Sequence, residues 1–219
     1  MEIANPSSRE IVTAGLFGGC ALFLCSVLSW SILPWRGLAE RPIGNESEVL
    51  RVLSSNLRDG GTYRFPSVPR RDLRDDTQKE EWALYTARRR AGPYGLIMYV
   101  QHGKDFVGPV FRGLALDLMA ATLAAFLAST ASHRMPRYYH RVLFVLALGV
   151  FAALVSWLTF WNWDSLPSSY FLIRAGDAVA GWLLAGLVMA WALPSSPRRH
   201  VRIGDGAKEL FGFIASTAA

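Results

Sequence analysis

Residues 142–161 read VLFVLALGVFAALVSWLTFW and contain no charged side chain. A helix of about 20 residues is about 30 Å long, which matches the thickness of the hydrocarbon core of a bilayer. A surface helix of a soluble protein carries a polar stripe along its length, and this run has none. The stretch therefore predicts a membrane-spanning helix.

Three further runs have the same character and decide the fold class. Residues 11–33 carry no charge at all. Residues 113–132 carry only Asp117, and residues 175–193 carry only Asp177. Each run is long enough to cross the hydrocarbon core as a helix. A soluble protein with four buried helices is disfavoured because polar stripes are missing. We therefore predict a mainly α, polytopic membrane protein with four transmembrane helices.

The first run predicts an uncleaved signal anchor. Its apolar part covers 23 residues, from 11 to 33, whereas the apolar core of a cleaved signal peptide has about 7–15 residues. No small-residue cleavage motif follows it, and Trp30 and Trp35 stand where the helix would leave the bilayer. Aromatic side chains of this kind favour the membrane interface.

The charge and the motifs limit the classes of function. The formal net charge is +6, but the basic residues are spread over several segments with acidic residues among them, which argues against a nucleic-acid partner. None of the common hydrolase, zinc-protease or nucleotide-binding motifs is present. Cys20 and Cys25 both lie inside the first run, as apolar packing residues. We expect no enzymatic activity, no cofactor and no metal.

Arginines at two places predict the orientation in the membrane. The loop at residues 133–141 contains three arginines and no acidic residue. The stretch just after the last run, PSSPRRHVR, also contains three arginines and no acidic residue. Short cytoplasmic loops are enriched in Lys and Arg, so both places are predicted to be cytoplasmic. The topology anchors are Arg134, Arg137 and Arg141 in the loop, and Arg198 and Arg199 in the tail.

The long segment before the second run is then predicted to lie outside the cytoplasm. Its own arginines do not contradict this, because loops longer than about 60 residues are translocated largely regardless of charge. The layout resembles that of small bacterial inner-membrane proteins. The predicted order is a cytoplasmic N-terminus (1–10), first span (11–33), extracytoplasmic domain (34–112), second span (113–132), cytoplasmic loop (133–141), third span (142–161), extracytoplasmic loop (162–174), fourth span (175–193) and cytoplasmic tail (194–219).

Residues 34–112 predict a small α+β domain. NESEVLRVLSSNLRDGG begins with Asn45 as a cap and has one apolar face, which predicts a helix. TQKEEWALYTARRRAGP predicts a second helix with Thr77 as its cap. GTYRFPSVP is typical of extended or turn structure, and YGLIMYVQHGKDFVGPVF predicts two strands about a turn at residues 102–105.

Two carboxylates within apolar runs are the candidate functional residues. Ionisable side chains within a membrane are costly and often mark a ligand or ion site. Asp117 and Asp177 fall at similar depth near the predicted outer ends of their helices, and Arg174 is one turn from Asp177. The alternative is that the acids only favour the helix N-termini, where negative charge is stabilising.

Small residues at four-residue spacing predict close helix packing, within the bundle or with another subunit. These residues are Gly15, Gly19, Ala120, Ala124, Ala128, Gly181 and Ala185. Two functions follow as hypotheses. The first is a non-catalytic accessory or interaction subunit, whose partners are the lipid bilayer and other membrane subunits or a second copy. The alternative is a small transporter, channel or ligand sensor with a polar pocket at the outer mouth of the bundle.

Overall fold

The computed structural model describes residues 6–69, 75–103 and 105–193. In this part the chain is mainly helical, with one two-stranded sheet. A 3₁₀ turn at Ser132–Arg134 and a π-helical turn at Leu154–Leu158 accompany these elements. The helices are α1 (Ser8–Ile32), α2 (Trp35–Ala39), α3 (Glu46–Asn56), α4 (Asp75–Ala91), α5 (Val107–Thr130), α6 (Tyr138–Ala153), α7 (Thr159–Trp163) and α8 (Ser168–Ala192), and the strands are β1 (Gly61–Phe65) and β2 (Gly95–Tyr99).

Within the described residues, four helices are long and apolar enough to cross a membrane, as predicted. They are α1, α5, α8 and the continuous 26-residue helix Tyr138–Trp163, which joins α6, the π turn and α7. All four begin before the predicted spans, because helical backbone hydrogen bonds extend into the residues that precede each apolar run. Helix α1 begins at Ser8 and α6 at Tyr138, ahead of the predicted starts at 11 and 142. Helix α5 begins at Val107 and α8 at Ser168, ahead of the predicted span starts at 113 and 175.

Helix α1 packs against α5 through two glycines. A Cβ atom on Gly15 would lie 2.5 Å from the hydroxyl oxygen of Thr122. One on Gly19 would lie 2.7 Å from the Cα of Leu118. Only hydrogen atoms fit at these two positions, so the glycines bring the two backbones together, as small residues do between membrane helices.

Helix α8 lies between α1 and α6. A Cβ on Gly181 would meet Leu22 of α1 at 2.7 Å, and one on Gly149 of α6 would collide with the Trp182 side chain. Ala185 is fully buried in the same interface. Helix α5 contacts α6 much less than α1 contacts its two neighbours. The bundle is therefore centred on α1 and α8.

The small-residue face predicted on α5 is shifted by one residue. Ala124 and Ala128 are buried as predicted, but Ala120 is exposed. The buried stripe instead includes Ala121 and Ala125. Positions 121, 124, 125 and 128 follow the i, i+3, i+4, i+7 pattern of one helix face, whereas spacing by four alone drifts around the helix. The prediction for Ala120 is wrong for this reason.

Arg141 was predicted to lie in the loop at residues 133–141. It lies in α6 instead, because this helix already begins at Tyr138. Its side chain is only 6% exposed. The Nη2 atom donates to the carbonyl of Ala190 at 3.0 Å, and the Tyr138 hydroxyl donates to the carbonyl of Leu187 at 2.8 Å. Ala190 lies in the last turn of α8, where carbonyls lack helical partners and positive charge is favourable. Leu187 lies one turn earlier in the same helix. Arg141 therefore closes the C-terminal end of α8.

The other predicted topology anchors divide into two groups. Arg134 and Arg137 are exposed at the connection between α5 and α6. Arg198 and Arg199 lie outside the described residues, as does the whole predicted tail. Among the described residues, the C-terminal end of α8 and the α5–α6 connection lie at one end of the bundle.

Residues 33–106, the connecting segment, contain both predicted helices. Asn45 caps α3 as predicted, because its side chain accepts the backbone N–H of Glu48. Helix α4 begins at Asp75, so Thr77 lies within its first turn and does not precede it. No side chain is buried in the part of the connecting segment that the structure describes. The elements are present, but they do not enclose a core of their own.

The sheet pairs two distant strands. β1 and β2 run antiparallel, with Gly61 opposite Tyr99 and Phe65 opposite Gly95. The predicted hairpin about residues 102–105 is wrong, since its second half forms the first turn of α5. Pro109 fits there because the first-turn N–H groups of a helix have no intrahelical acceptor.

One ion pair joins the sheet to the bundle. Arg64 of β1 binds the carboxylate of Asp164, in the turn between α7 and α8, and also donates to the hydroxyl of Tyr94 at 2.6 Å. The hydrogen bond to Asp164 raises the pKa of the Arg64 guanidinium. The connecting segment thus contacts the end of the bundle at which α7 ends and α8 begins.

Candidate functional site

A cavity of about 200 Å³ lies between the membrane-spanning helices. Asp117 of α5 and both Arg174 and Asp177 of α8 line it. The three residues that the sequence singled out are therefore brought to one place. Ser26 of α1 adds a hydroxyl to the lining, and Trp157 of the π turn and Trp182 of α8 add two aromatic rings.

The two carboxylates lie deeper along their helices than the sequence suggested. Asp117 is ten residues beyond the start of α5, or about 15 Å at 1.5 Å per residue. Asp177 is nine residues beyond the start of α8, or about 13 Å. The stabilisation of acids by a helix N-terminus falls off within the first turn. It therefore does not account for either aspartate.

Arg174 is surrounded by aromatic rings. Its guanidinium carbon lies 4.0 Å from the ring centre of Trp30, 5.2 Å from that of Tyr170 and 5.8 Å from that of Trp157. Its Nε atom donates to the Tyr170 hydroxyl at 3.2 Å. Ring faces attract a cation, most strongly where water is excluded. The rings therefore hold a positive charge within the bundle.

The expected pairing of Arg174 with Asp177 is replaced by a different contact. The indole N–H of Trp30 donates to Asp177 at 3.0 Å, while the Trp30 ring faces Arg174. Among the described residues, no ion pair joins Arg174 to Asp177. One tryptophan thus positions both charged groups. The sequence indicated Trp30 only as an interfacial residue, because its partner is 147 positions away.

Asp117 has no such partner. Its carboxylate is partly buried, and within residues 6–69, 75–103 and 105–193 it forms no hydrogen bond or ion pair. A buried polar group without a partner costs free energy. Asp117 is therefore the group in this cavity that is most available to a ligand.

The π turn supplies the wall opposite α1. Residues Leu154–Leu158 interrupt the α-helical hydrogen bonding of the third span and carry Trp157 into the cavity lining. Single π turns inside helices are often found at functional sites. The sequence contains no proline in this region, so no signal in it indicated the interruption.

A groove of about 750 Å³ between α1 and α5 shares Ser26, Asp117 and Arg174 with the cavity. Its walls are mostly apolar and include Phe23, Val27 and Val110. The groove extends past Trp30 to Arg36 of α2 and to Phe106, at the end of the bundle where the connecting segment joins. Cavity and groove together therefore run from Asp177 to the end of the bundle.

The comparisons add no relative. No protein-family model, characterised protein or solved structure matches this chain. The four long apolar helices indicate the class, a multi-pass membrane protein. Its function has to be inferred from the geometry of the cavity.

Proposed function

We propose that this protein binds a small charged ligand or an ion within its helix bundle, as a small transporter, channel or ligand sensor. The observation that carries the proposal is the convergence of Asp117, Arg174 and Asp177 on one cavity. Charged side chains are rare and costly within membrane helices unless they line an ion or substrate path. Neither aspartate is close enough to a helix start to be accounted for by the helix dipole.

The orientation proposed for the membrane places both termini in the cytoplasm and residues 34–112 outside it. The exposed Arg134 and Arg137 at the α5–α6 connection support this, since basic short loops stay inside. The groove would then open toward the extracytoplasmic side. Reporter fusions at residue 137 and at the C-terminus should read cytoplasmic, and a fusion near residue 70 should not. The reverse pattern would contradict the orientation.

Ligand-induced stabilisation of the purified protein tests the proposal. The full chain is reconstituted in nanodiscs, and its melting temperature is measured with a panel of inorganic ions, amines, amino acids and carboxylates. A ligand at 100 times its dissociation constant adds about 2.7 kcal/mol to the stability of the folded state. Asp117→Asn, Asp177→Asn and Arg174→Gln should each reduce the shift caused by any active compound.

Asp59→Asn is the matched control, because Asp59 is an exposed carboxylate of the connecting segment. It should leave the shift unchanged. If no compound shifts the melting temperature, or if the three cavity variants respond as the wild type does, the proposal fails.

An accessory subunit is the second candidate, and the connecting segment is the observation that favours it. Its helix α3 has no buried residue, and Leu50 is 52% exposed. Docking of a partner on α3 would bury the face of the helix that carries Leu50. The small-residue faces give less support, because Gly15, Gly19 and Gly181 are already occupied by neighbouring helices of the same chain.

A pull-down in mild detergent distinguishes the two candidates. A stoichiometric membrane partner that is retained by the wild type and lost with Leu50→Gln would support the accessory subunit. Retention of that partner by Leu50→Gln would exclude α3 as the docking face.

A further inference from the structure

We infer that the ligand of this cavity is a monovalent organic cation, with its charged nitrogen at Asp117 and its apolar part in the groove between α1 and α5. The inference rests on the proposed function and adds the chemical class of the ligand. It is based on the charge of the lining, on which groups lack partners, and on the shape of the adjoining space.

The charges of the lining favour one added positive charge. Within the cavity, Asp117 and Asp177 contribute two negative charges and Arg174 contributes one positive charge. Arg36 lines the groove only at the end of the bundle, where it is exposed and its charge is screened by water and salt. An uncompensated charge in a low-dielectric site is costly. A monovalent cation brings the net charge of lining and ligand to zero. A zwitterion leaves this net charge negative, and an anion makes it more negative.

The partners of these groups indicate where the cation would bind. Arg174 is held by three aromatic rings, and Asp177 accepts the indole N–H of Trp30. Asp117 has no hydrogen-bond or ion-pair partner in the described part of the chain. The incoming charge is therefore expected at Asp117.

The groove argues for an organic cation with an apolar group. It reaches Asp117 directly, and most of its wall is apolar, including Phe23, Val27 and Val110. A hydrated inorganic ion gains nothing from such walls, whereas an alkyl or aryl group is stabilised by leaving water. Gly113 also lines the groove and leaves free the space that a side chain would fill, since a Cβ there would already contact Phe23 at 3.9 Å.

The experiment uses benzyltrimethylammonium, whose charge does not depend on pH. The radiolabelled cation is titrated into the full-length protein in nanodiscs and bound label is counted. Neopentylbenzene, in which carbon replaces the nitrogen, is the neutral competitor, and phenylmethanesulfonate is the anionic one. We expect saturable binding of the cation that neither competitor displaces.

Two pairs of variants test the placement. Asp117→Asn should weaken binding about tenfold or more, since it removes a charge at close range to the cation, while Asp117→Glu should retain most of it. Gly113→Leu should block the groove and weaken binding. Gly176→Leu is the control for Gly113→Leu, because Gly176 lines neither the cavity nor the groove and has open space around it. The Gly176→Leu variant should bind the cation as the wild type does.

The inference is overturned if the cation binds no better than to empty nanodiscs, or if neither Asp117→Asn nor Gly113→Leu weakens binding. Folding of each variant is checked by gel filtration and by its melting temperature. If Asp117→Asn does not fold, Asp117→Glu and Gly113→Leu together test where the cation binds. If phenylmethanesulfonate binds instead, and Arg174→Gln abolishes that binding, the organic-cation inference fails while the proposed ligand-binding function stands. The same conclusion follows if Na⁺ or K⁺ shifts the melting temperature, if this shift requires Asp117, and if the organic cation does not bind.

Discussion

The helix bundle and the connecting segment are held together in different ways. In the bundle, glycines and alanines of α1, α5 and α8 bring backbones into contact, and alanines at the interface are fully buried. In the connecting segment, no described side chain is buried, and the contact to the bundle includes a partly exposed ion pair. Close packing without a hydrophobic driving force is the rule between membrane helices. The comparison predicts that the same type of substitution has very different effects in the two regions.

The largest effect is expected from Gly19→Val. Its Cβ would lie 2.7 Å from the Cα of Leu118, a backbone atom that can move only with its helix. Overpacking of this kind costs about 1–3 kcal/mol, and more where the backbone must shift. The melting temperature in detergent should fall markedly. Gly37→Val, at a glycine of α2 with open space around it, should cause little change, and equal losses for the two variants would contradict the comparison.

A smaller loss is expected from Arg141→Ala. The variant removes the donor to the Ala190 carbonyl and leaves a buried acceptor unpaired, which costs about 1–3 kcal/mol. Arg137→Ala at the same connection removes an exposed guanidinium and should be close to neutral. Thermal unfolding of both variants in nanodiscs is the measurement. Similar stability of the two would show that the hydrogen bond from Arg141 to Ala190 does not stabilise this end of the bundle.

Trp30→Phe separates the two roles of Trp30. Phenylalanine keeps a ring for Arg174 but lacks the N–H that is donated to Asp177. A lost hydrogen bond to a charged acceptor costs about 1.5–3 kcal/mol at most, and less where the cavity admits water. We expect a modest fall in stability together with altered ligand affinity. Trp30→Leu removes both contacts, and it should be the more damaging variant in the same binding assay.

The smallest effect is expected at the junction of the two regions. Asp164→Asn removes the ionic partner of Arg64, and partly exposed ion pairs are worth about 0.2–1 kcal/mol. Global unfolding should hardly change. Limited proteolysis should show faster cleavage within residues 57–69, because β1 loses its contact with the bundle. A double-mutant cycle with Arg64→Gln should give a coupling energy within that range, and a value near zero would show that the ion pair does not hold the segment.

Several features of the site could be read from single positions. A charge within an apolar run is conspicuous, so Asp117 and Asp177 could be found without a structure, and Arg174 by its nearness in sequence to Asp177. Trp30 and Trp157 could not, because their roles depend on contacts across helices and on a π turn that has no sequence signal. The expected pairing of Arg174 with Asp177 is not formed for the same reason: besides Tyr170 on its own helix, Arg174 contacts the rings of Trp30 and Trp157, which come from two other helices.

The sequence by itself determined the four membrane-spanning helices, because about 20 apolar residues without charge have one stable state in a bilayer, a helix with all its backbone hydrogen bonds made internally. It also determined α3, through the Asn45 cap and a periodic apolar face. Only the tertiary structure decided which strand pairs with β1, that Ala121 and not Ala120 is buried, and that Arg141 closes α8. These outcomes depend on contacts between residues far apart in the chain, and such contacts leave no local pattern. The cavity is of this second kind, since residues from separate helices line it, and their packing leaves the carboxylate of Asp117 without a partner among the described residues.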